Sequence, residues 1–128
     1  AIDLLVDKLT SDGVTCEVIR GDVPANKRTD IFSRFQKSPD PKVLVIQPQA
    51  AAHGVTLTAA NTVVWWGPTS SLETYAQANA RVHRSGQKHK CTVVQLYGSG
   101  AEQRMYRMLD NRINIHTKII ELYKEILD

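Results

Sequence analysis

Gln77-Ala78-Asn79-Ala80-Arg81-Val82-His83-Arg84-Ser85-Gly86-Gln87 carries two arginines three residues apart, with a valine between them and a glycine just beyond. Ser70 and Glu73, just upstream, have the spacing of a helix capping box, and Gly86 suits a left-handed cap. Residues 71–84 therefore read as one helix. At about 100° per residue, Gln77, Arg81 and Arg84 share a sector of about 60°. Leu72, Tyr75, Ala78 and Val82 fall on the opposite side, as suits packing on a sheet. Two arginines one turn apart repel each other by about 0.2–0.5 kcal/mol, which an anionic partner would relieve. On spacing alone, the commoner reading of such a pair is a solvated basic face.

Working outward, the residues before this helix, 62–66 (TVVWW), read as a buried strand closed by Gly67-Pro68. Residues 92–97 (TVVQLY) beyond it read as another strand, ended by Gly98-Ser99-Gly100. Upstream, 42–46 (KVLVI) is a short apolar run of the kind found in buried parallel strands. Residues 47–54 follow it as a loop or short helical turn. Residues 14–19 (VTCEVI) alternate as a strand does, with Arg20-Gly21-Asp22 as the loop after it. Pro24 can open a helix whose apolar stripe is Ile31, Phe32 and Phe35, broken by residues 38–41. Ile2, Leu5, Val6 and Leu9 have helical spacing up to a stop at Asp12-Gly13. From residue 101 to the end the chain reads helical through Met105, Leu109, Ile113, Ile120, Tyr123 and Leu127.

Strands alternate with helices, so the expected architecture is a three-layer α/β/α domain around a mostly parallel central sheet, with a long C-terminal helix. In such a sheet, ligands gather beyond the carboxyl ends of the strands, here 20–23, 47–56, 67–71 and 98–100.

The chain has 128 residues, 42% hydrophobic and 23% charged, with a formal net charge of +3, the profile of one globular domain. Arg81, Arg84, Lys88 and Lys90 lie with His83 and His89 in a stretch free of acids. Lys88-His89-Lys90 reads as a solvated turn ahead of a strand, with a DNA contact as the lesser alternative. Cys16 and Cys91 lie far apart in strand-like stretches and read as free core thiols of a reducing compartment. No apolar run approaches the roughly eighteen residues of a membrane span, so no membrane role is expected and an intracellular, cytoplasmic setting is. The chain opens at Ala1, already inside a helix, and reads as an excised piece of a longer protein.

Several chemistries lack their sequence marks. There is no G-x-x-x-x-G-K-[ST] phosphate loop, no G-x-G-x-x-G after a strand and no nucleophile elbow. The four histidines are scattered without ligand spacing, so no metal site is expected.

The stretch Gln77-x-x-x-Arg81-x-x-Arg84 resembles motif VI of superfamily-two helicases and translocases. Its fuller form, ending in Gly86-Gln87, resembles the Swi/Snf branch of DNA-dependent ATPases. Residues 47–61, ending Gly54-Val55-Thr56-Leu57-Thr58-Ala59-Ala60-Asn61, resemble motif V and its extension. Arg20-Gly21-Asp22 with Arg28 resembles the motif IVa region, and Gly98-Ser99-Gly100-Ala101-Glu102 resembles the start of the family's C-terminal helix. Motifs V and VI together, joined by a strand and a capped helix, are far more specific than motif VI alone.

The resemblance implies that the whole chain, 1–128, is a helicase C-terminal domain, the second of two RecA-like lobes, truncated before its motif IV strand, with 101–128 as a helical extension. It further implies that Arg84 acts as an arginine finger on ATP, with Arg81 as a second catalytic phosphate contact and Gln77, Gly54 and Thr56 binding the nucleotide. Gly21, Arg28, Gln47, Gln49 and Ala50 would touch the DNA backbone, duplex rather than single strand. ATP and Mg²⁺ are the implied cofactors, with Mg²⁺ held by the N-terminal lobe, and the isolated chain would be inactive. The alternative is a RecA-like module that binds nucleic acid or protein without an ATPase cycle. Three departures from the family pattern stand out: Gln47-Pro48-Gln49 replaces Ser/Thr residues, Thr56 replaces Asn or Asp, and Ala51-Ala52 replaces small glycines. Most apolar positions of the long C-terminal helix read as cover for this domain's core, while Ile115, Ile119, Leu122 and Ile126 form a series that would be partly exposed without a partner lobe.

Overall fold

A computed structural model describes residues 2–51 and 55–127. Helix α1 (Ile2–Ser11) ends in a complete glycine cap. Gly13 sits at φ +78°, its N–H donates to Thr10 O at 3.1 Å, and Val14 N–H donates to Leu9 O at 2.9 Å. This is the paired bonding of a Schellman motif, and it explains why Asp12-Gly13 stops the helix. Strand β1 (Cys16–Ile19) follows, then α2 (Ala25–Lys37), with Pro24 as its N-cap residue. Ile31 and Phe32 of α2 are buried and Phe35 packs beside them, as the stripe predicts.

Strand β2 (Val43–Ile46) pairs in parallel with β1, from Cys16 opposite Val43 to Ile19 opposite Ile46. A short 3₁₀ turn, Pro48–Ala51, leads out of it. Strand β3 (Thr62–Trp65) pairs in parallel with β4 (Thr92–Gln95), Thr62 opposite Thr92. Between them lies α3 (Leu72–Ala80), and α4 (Gly100–Leu127) closes the chain.

The parallel pairing matches the expectation, but the strands form two separate two-stranded ladders, β1–β2 and β3–β4. Among the described residues, side chains rather than hydrogen bonds join them. One apolar cluster gathers Ile19, Ile31, Phe32, Ala50, Leu57 and Val82, with Leu44 and Ile46 of β2 and Val63 of β3 packed against it. A second gathers Trp65, Tyr75, Tyr106 and Leu109, so α3 and the first half of α4 share a core with β3.

Two expectations need correction. Residues 62–66 do not form a strand buried on both faces: Trp65 is 5% exposed but Trp66 is 61% exposed and Val64 is exposed too. Successive strand side chains point to opposite faces, and only the face carrying Trp65 is covered by α3 and α4. A β-branched run looks the same in sequence whether one face is covered or both. The long helix likewise contributes to the core only through its first half. From residue 114 to 126 every side chain is exposed, including Ile115, Ile119, Leu122 and Ile126.

Candidate functional site

Helix α3 begins one residue later than the capping-box spacing implies. Ser71, not Ser70, is the N-cap, and its Oγ accepts the Thr74 N–H at 3.1 Å. The helix also ends early, at Ala80 rather than residue 84. Arg81, Val82 and His83 send their N–H groups back to Ala78 O, Asn79 O and Asn79 O at 3.2, 3.2 and 3.0 Å. Gln87 N–H donates to Arg84 O at 3.1 Å, and Gly86 turns the chain at φ +97°, where a Cβ would be strained.

Arg81 and Arg84 therefore stand on a tight turn beyond the helix, and the shared helical sector does not apply to them. The physical reason is Val82. Leu72, Tyr75 and Ala78 pack in the cluster around Trp65, whereas Val82 is buried in the other cluster, beside Leu57. A straight helix would leave Val82 on the first stripe, so the chain bends to bury it elsewhere.

The motif V-like segment is laced to this turn. Leu57 N–H donates to Arg81 O at 2.8 Å, and Arg84 Nη1 donates to Val55 O at 3.3 Å. Gln87 Nε2 donates to both Ala60 O (2.7 Å) and Val82 O (2.9 Å), while its Oε1 accepts His89 N–H at 3.1 Å. Thr56 is exposed within this segment, and Gly54 lies outside the described residues. Gln77, half-buried on α3, donates to Glu73 Oε1 at 3.0 Å. Arg84 is exposed, and among the described residues no carboxylate pairs with it. Arg81 is half-buried on the same turn.

A second group forms at the carboxyl ends of β1 and β2. Gln47 N–H extends the ladder to Ile19 O at 3.0 Å, and its side-chain Oε1 accepts Gly21 N–H at 2.9 Å. Arg28 Nε donates to Val23 O and Nη2 to Gly21 O, both at 2.8 Å. Gly21, Arg28 and Gln47 are thus brought together, but the Gly21 amide and much of the Arg28 guanidinium are already engaged in shaping the 20–23 loop. Ala50 follows on the 3₁₀ turn with its side chain buried in the core, and Gln49 is adjacent to it in that turn.

Sequence reasoning missed a polar network behind the arginine turn. Tyr75 OH donates to Asp110 Oδ1 at 3.0 Å, while Gln95 Nε2 reaches both Tyr75 OH (2.7 Å) and Asp110 Oδ2 (3.0 Å). Trp65 Nε1 donates to Asn79 Oδ1 at 2.9 Å, and Tyr106 OH donates to Leu96 O at 2.8 Å. Burial raises the pKa of Tyr75. Tyr106 is pushed up to about 12, first by burial and then by the nearby charges of Glu102 and Tyr75. No local spacing signals partners that lie so far apart in the chain.

The helicase conserved C-terminal domain matches residues 1–86, a span that takes in both the 55–60 segment and the arginine turn. The chain belongs to that family. Relatives of this domain include the DNA annealing helicase and endonuclease ZRANB3 of Mus musculus, 33% identical over 114 residues, 85% of this chain and 10% of the relative. The chromatin-remodeling ATPase INO80 of Cryptococcus neoformans is 33% identical over 105 residues, 78% of this chain and 6% of the relative. The chain thus spans a tenth or less of the length of these two curated relatives. The crystal structure of the C-terminal part of the Fun30 ATPase domain superposes with a TM-score of 0.76 at 21% identity, over 84% of this chain and 35% of that one. The domain has the RecA-like helicase fold, and its relatives place it with the Swi/Snf-type branch of superfamily two that its motifs resemble.

Among the described residues, no helix is long and apolar enough to cross a membrane, and no group of His, Cys, Asp and Glu is arranged to hold a metal ion.

Proposed function

We propose that this helicase C-terminal domain is the second motor lobe of an ATP-dependent DNA translocase of Swi/Snf type. In this reading it faces an N-terminal RecA-like lobe of the parent protein across a cleft and presents Arg84 and Arg81 to the phosphates of ATP. The supporting observation is Arg84 itself. It is an exposed guanidinium with no carboxylate partner among the described residues, on a turn held to the 55–60 segment by backbone and side-chain hydrogen bonds. Such a group fits a polyphosphate, because guanidinium is planar, always charged and offers only donors.

ATP supplies a γ-phosphoryl group whose transfer to water concentrates negative charge. Arg84, fixed in advance, stabilises that charge as it develops, and Arg81 adds a second positive charge beside it. Gln77 positions the nucleotide from α3, and Thr56 offers a hydroxyl toward the ribose with Gly54 close by in the chain. Mg²⁺ belongs to the N-terminal lobe in this scheme. The isolated domain is accordingly expected to hydrolyse no ATP.

The loops beyond β1 and β2 meet the DNA backbone, duplex in preference to single strand. Contact there falls to the exposed edge of the 20–23 loop at Gly21 and to the backbone around Gln49 and Ala50, with Arg28 and Gln47 holding the loops in shape. Phosphates carry no base information, so this contact is independent of sequence. The setting is intracellular, wherever the parent meets DNA. Residues 101–128 belong to the same unit, since Tyr106 and Leu109 complete the core around Trp65.

The test is hydrolysis by a protein carrying both lobes. Arg84→Ala is expected to lower ATP turnover by about 10³–10⁵, or about 4–7 kcal/mol of barrier. Turnover equal to wild type would contradict the assignment and leave the binding-module reading.

A further inference from the structure

An open cleft of about 270 Å³ lies between the end of α2 and the loop before β4, lined by Gln36, Thr58, Ala59, Gly86, Lys88 and His89. Gln36 bridges it: its Nε2 donates to Thr58 Oγ1 at 2.8 Å and its Oε1 accepts Ala59 N–H at 2.9 Å. That fixes one wall and leaves the Thr58 hydroxyl proton to donate outward. The opposite wall turns at Gly86, with its positive φ, and is held by His89 N–H on Gln87 Oε1. No carboxylate and no large apolar side chain among the described residues lines the cleft. Among the described residues, no carboxylate pairs with Lys88, His89 or the neighbouring Lys90. Residues 88–90 are exposed, as the solvated turn read from the sequence would be, and two of them, Lys88 and His89, also line this cleft.

We propose that this cleft binds a backbone phosphate of a nucleic acid, giving the domain an anion contact separate from the arginine turn and from the 20–23 and 47–50 loops. A donor-lined recess with an unpaired lysine, a hydroxyl and an imidazole selects an anion. Its openness and its place in an acid-free stretch suit a phosphate that belongs to an extended polyanion. The site does not depend on ATP or on the role given to Arg84.

The test is a titration of the 128-residue chain, followed by backbone amide NMR shifts, with a short blunt DNA duplex, with inorganic phosphate and with a poly-glutamate peptide. The duplex is expected to shift Thr58, Ala59, Gly86, Lys88 and His89. Lys88→Ala is expected to reduce the slope of log affinity against log salt by about 0.9, the share of one phosphate contact. Lys88→Arg keeps the slope, and Lys118→Ala, the same charge change out on α4, leaves it unaltered. Unshifted cleft amides, an unaltered slope in Lys88→Ala, or a response to poly-glutamate or inorganic phosphate without one to duplex would each overturn the proposal. Shifts at Gly21 and Gln47 without shifts at the cleft would sink this site and spare the motor-lobe reading. The reverse pattern would establish the cleft and count against the proposed DNA track.

Discussion

The backbone carbonyl of Arg81 accepts the amide proton of Leu57 at 2.8 Å. With that bond, the turn that carries both arginines is continued onto the 55–60 segment rather than hanging from the end of α3. Gln87 doubles the connection through Ala60 and Val82.

Gln87 is therefore expected to matter for stability although it is not a core residue. Gln87→Ala leaves two part-buried carbonyls without their donor, at an expected cost of about 1–3 kcal/mol. Gln87→Glu should do no better, because an ionised carboxylate cannot donate. Urea unfolding checks this. A midpoint equal to wild type in both variants would mean that the lacing contributes nothing.

The N-cap assignment gives a sharper comparison. Ser71→Ala removes the acceptor of the Thr74 N–H and should cost about 1 kcal/mol, whereas Ser70→Ala should be near neutral. Equal losses, or a larger one at Ser70, would restore the cap that the capping-box spacing implies.

These two residues also show what was legible in the sequence. Period and punctuation identified every strand and helix, because apolar alternation, Pro24 and Asp12-Gly13 act locally. Ser70 and Ser71 have the same chemistry, so only the backbone geometry separates them. The early end of α3 follows from Val82 packing with Leu57 rather than with Tyr75, a choice between two clusters that no helical wheel contains. Arg28 looks like any basic residue near a loop, yet its guanidinium is committed to the carbonyls of Gly21 and Val23. The Tyr75–Gln95–Asp110 network joins α3, β4 and α4, so it exists only once those elements have packed.

Tyr106 links fold to pH. Its folded pKa of about 12 lies above the ordinary 10.0, so the folded state holds the phenol proton more tightly. The contribution to stability is complete below about pH 10 and is lost as pH rises toward about 12. Tyr106→Phe should remove that alkaline loss while costing about 1 kcal/mol at neutral pH for the bond to Leu96 O. An identical alkaline profile in wild type and variant would show that Tyr106 does not govern it.

The central claim concerns Arg84, and the most direct measurement separates nucleotide binding from turnover. In a protein carrying both lobes, the affinity for ATP and the steady-state rate of DNA-stimulated hydrolysis are measured for wild type, Arg84→Ala and Arg84→Lys. A transition-state role predicts that turnover falls by about 10³–10⁵ in Arg84→Ala while ATP affinity changes little, and that Arg84→Lys recovers only a small part of the rate. Full-rate hydrolysis by Arg84→Ala, or a loss that tracks ATP affinity alone, would contradict it.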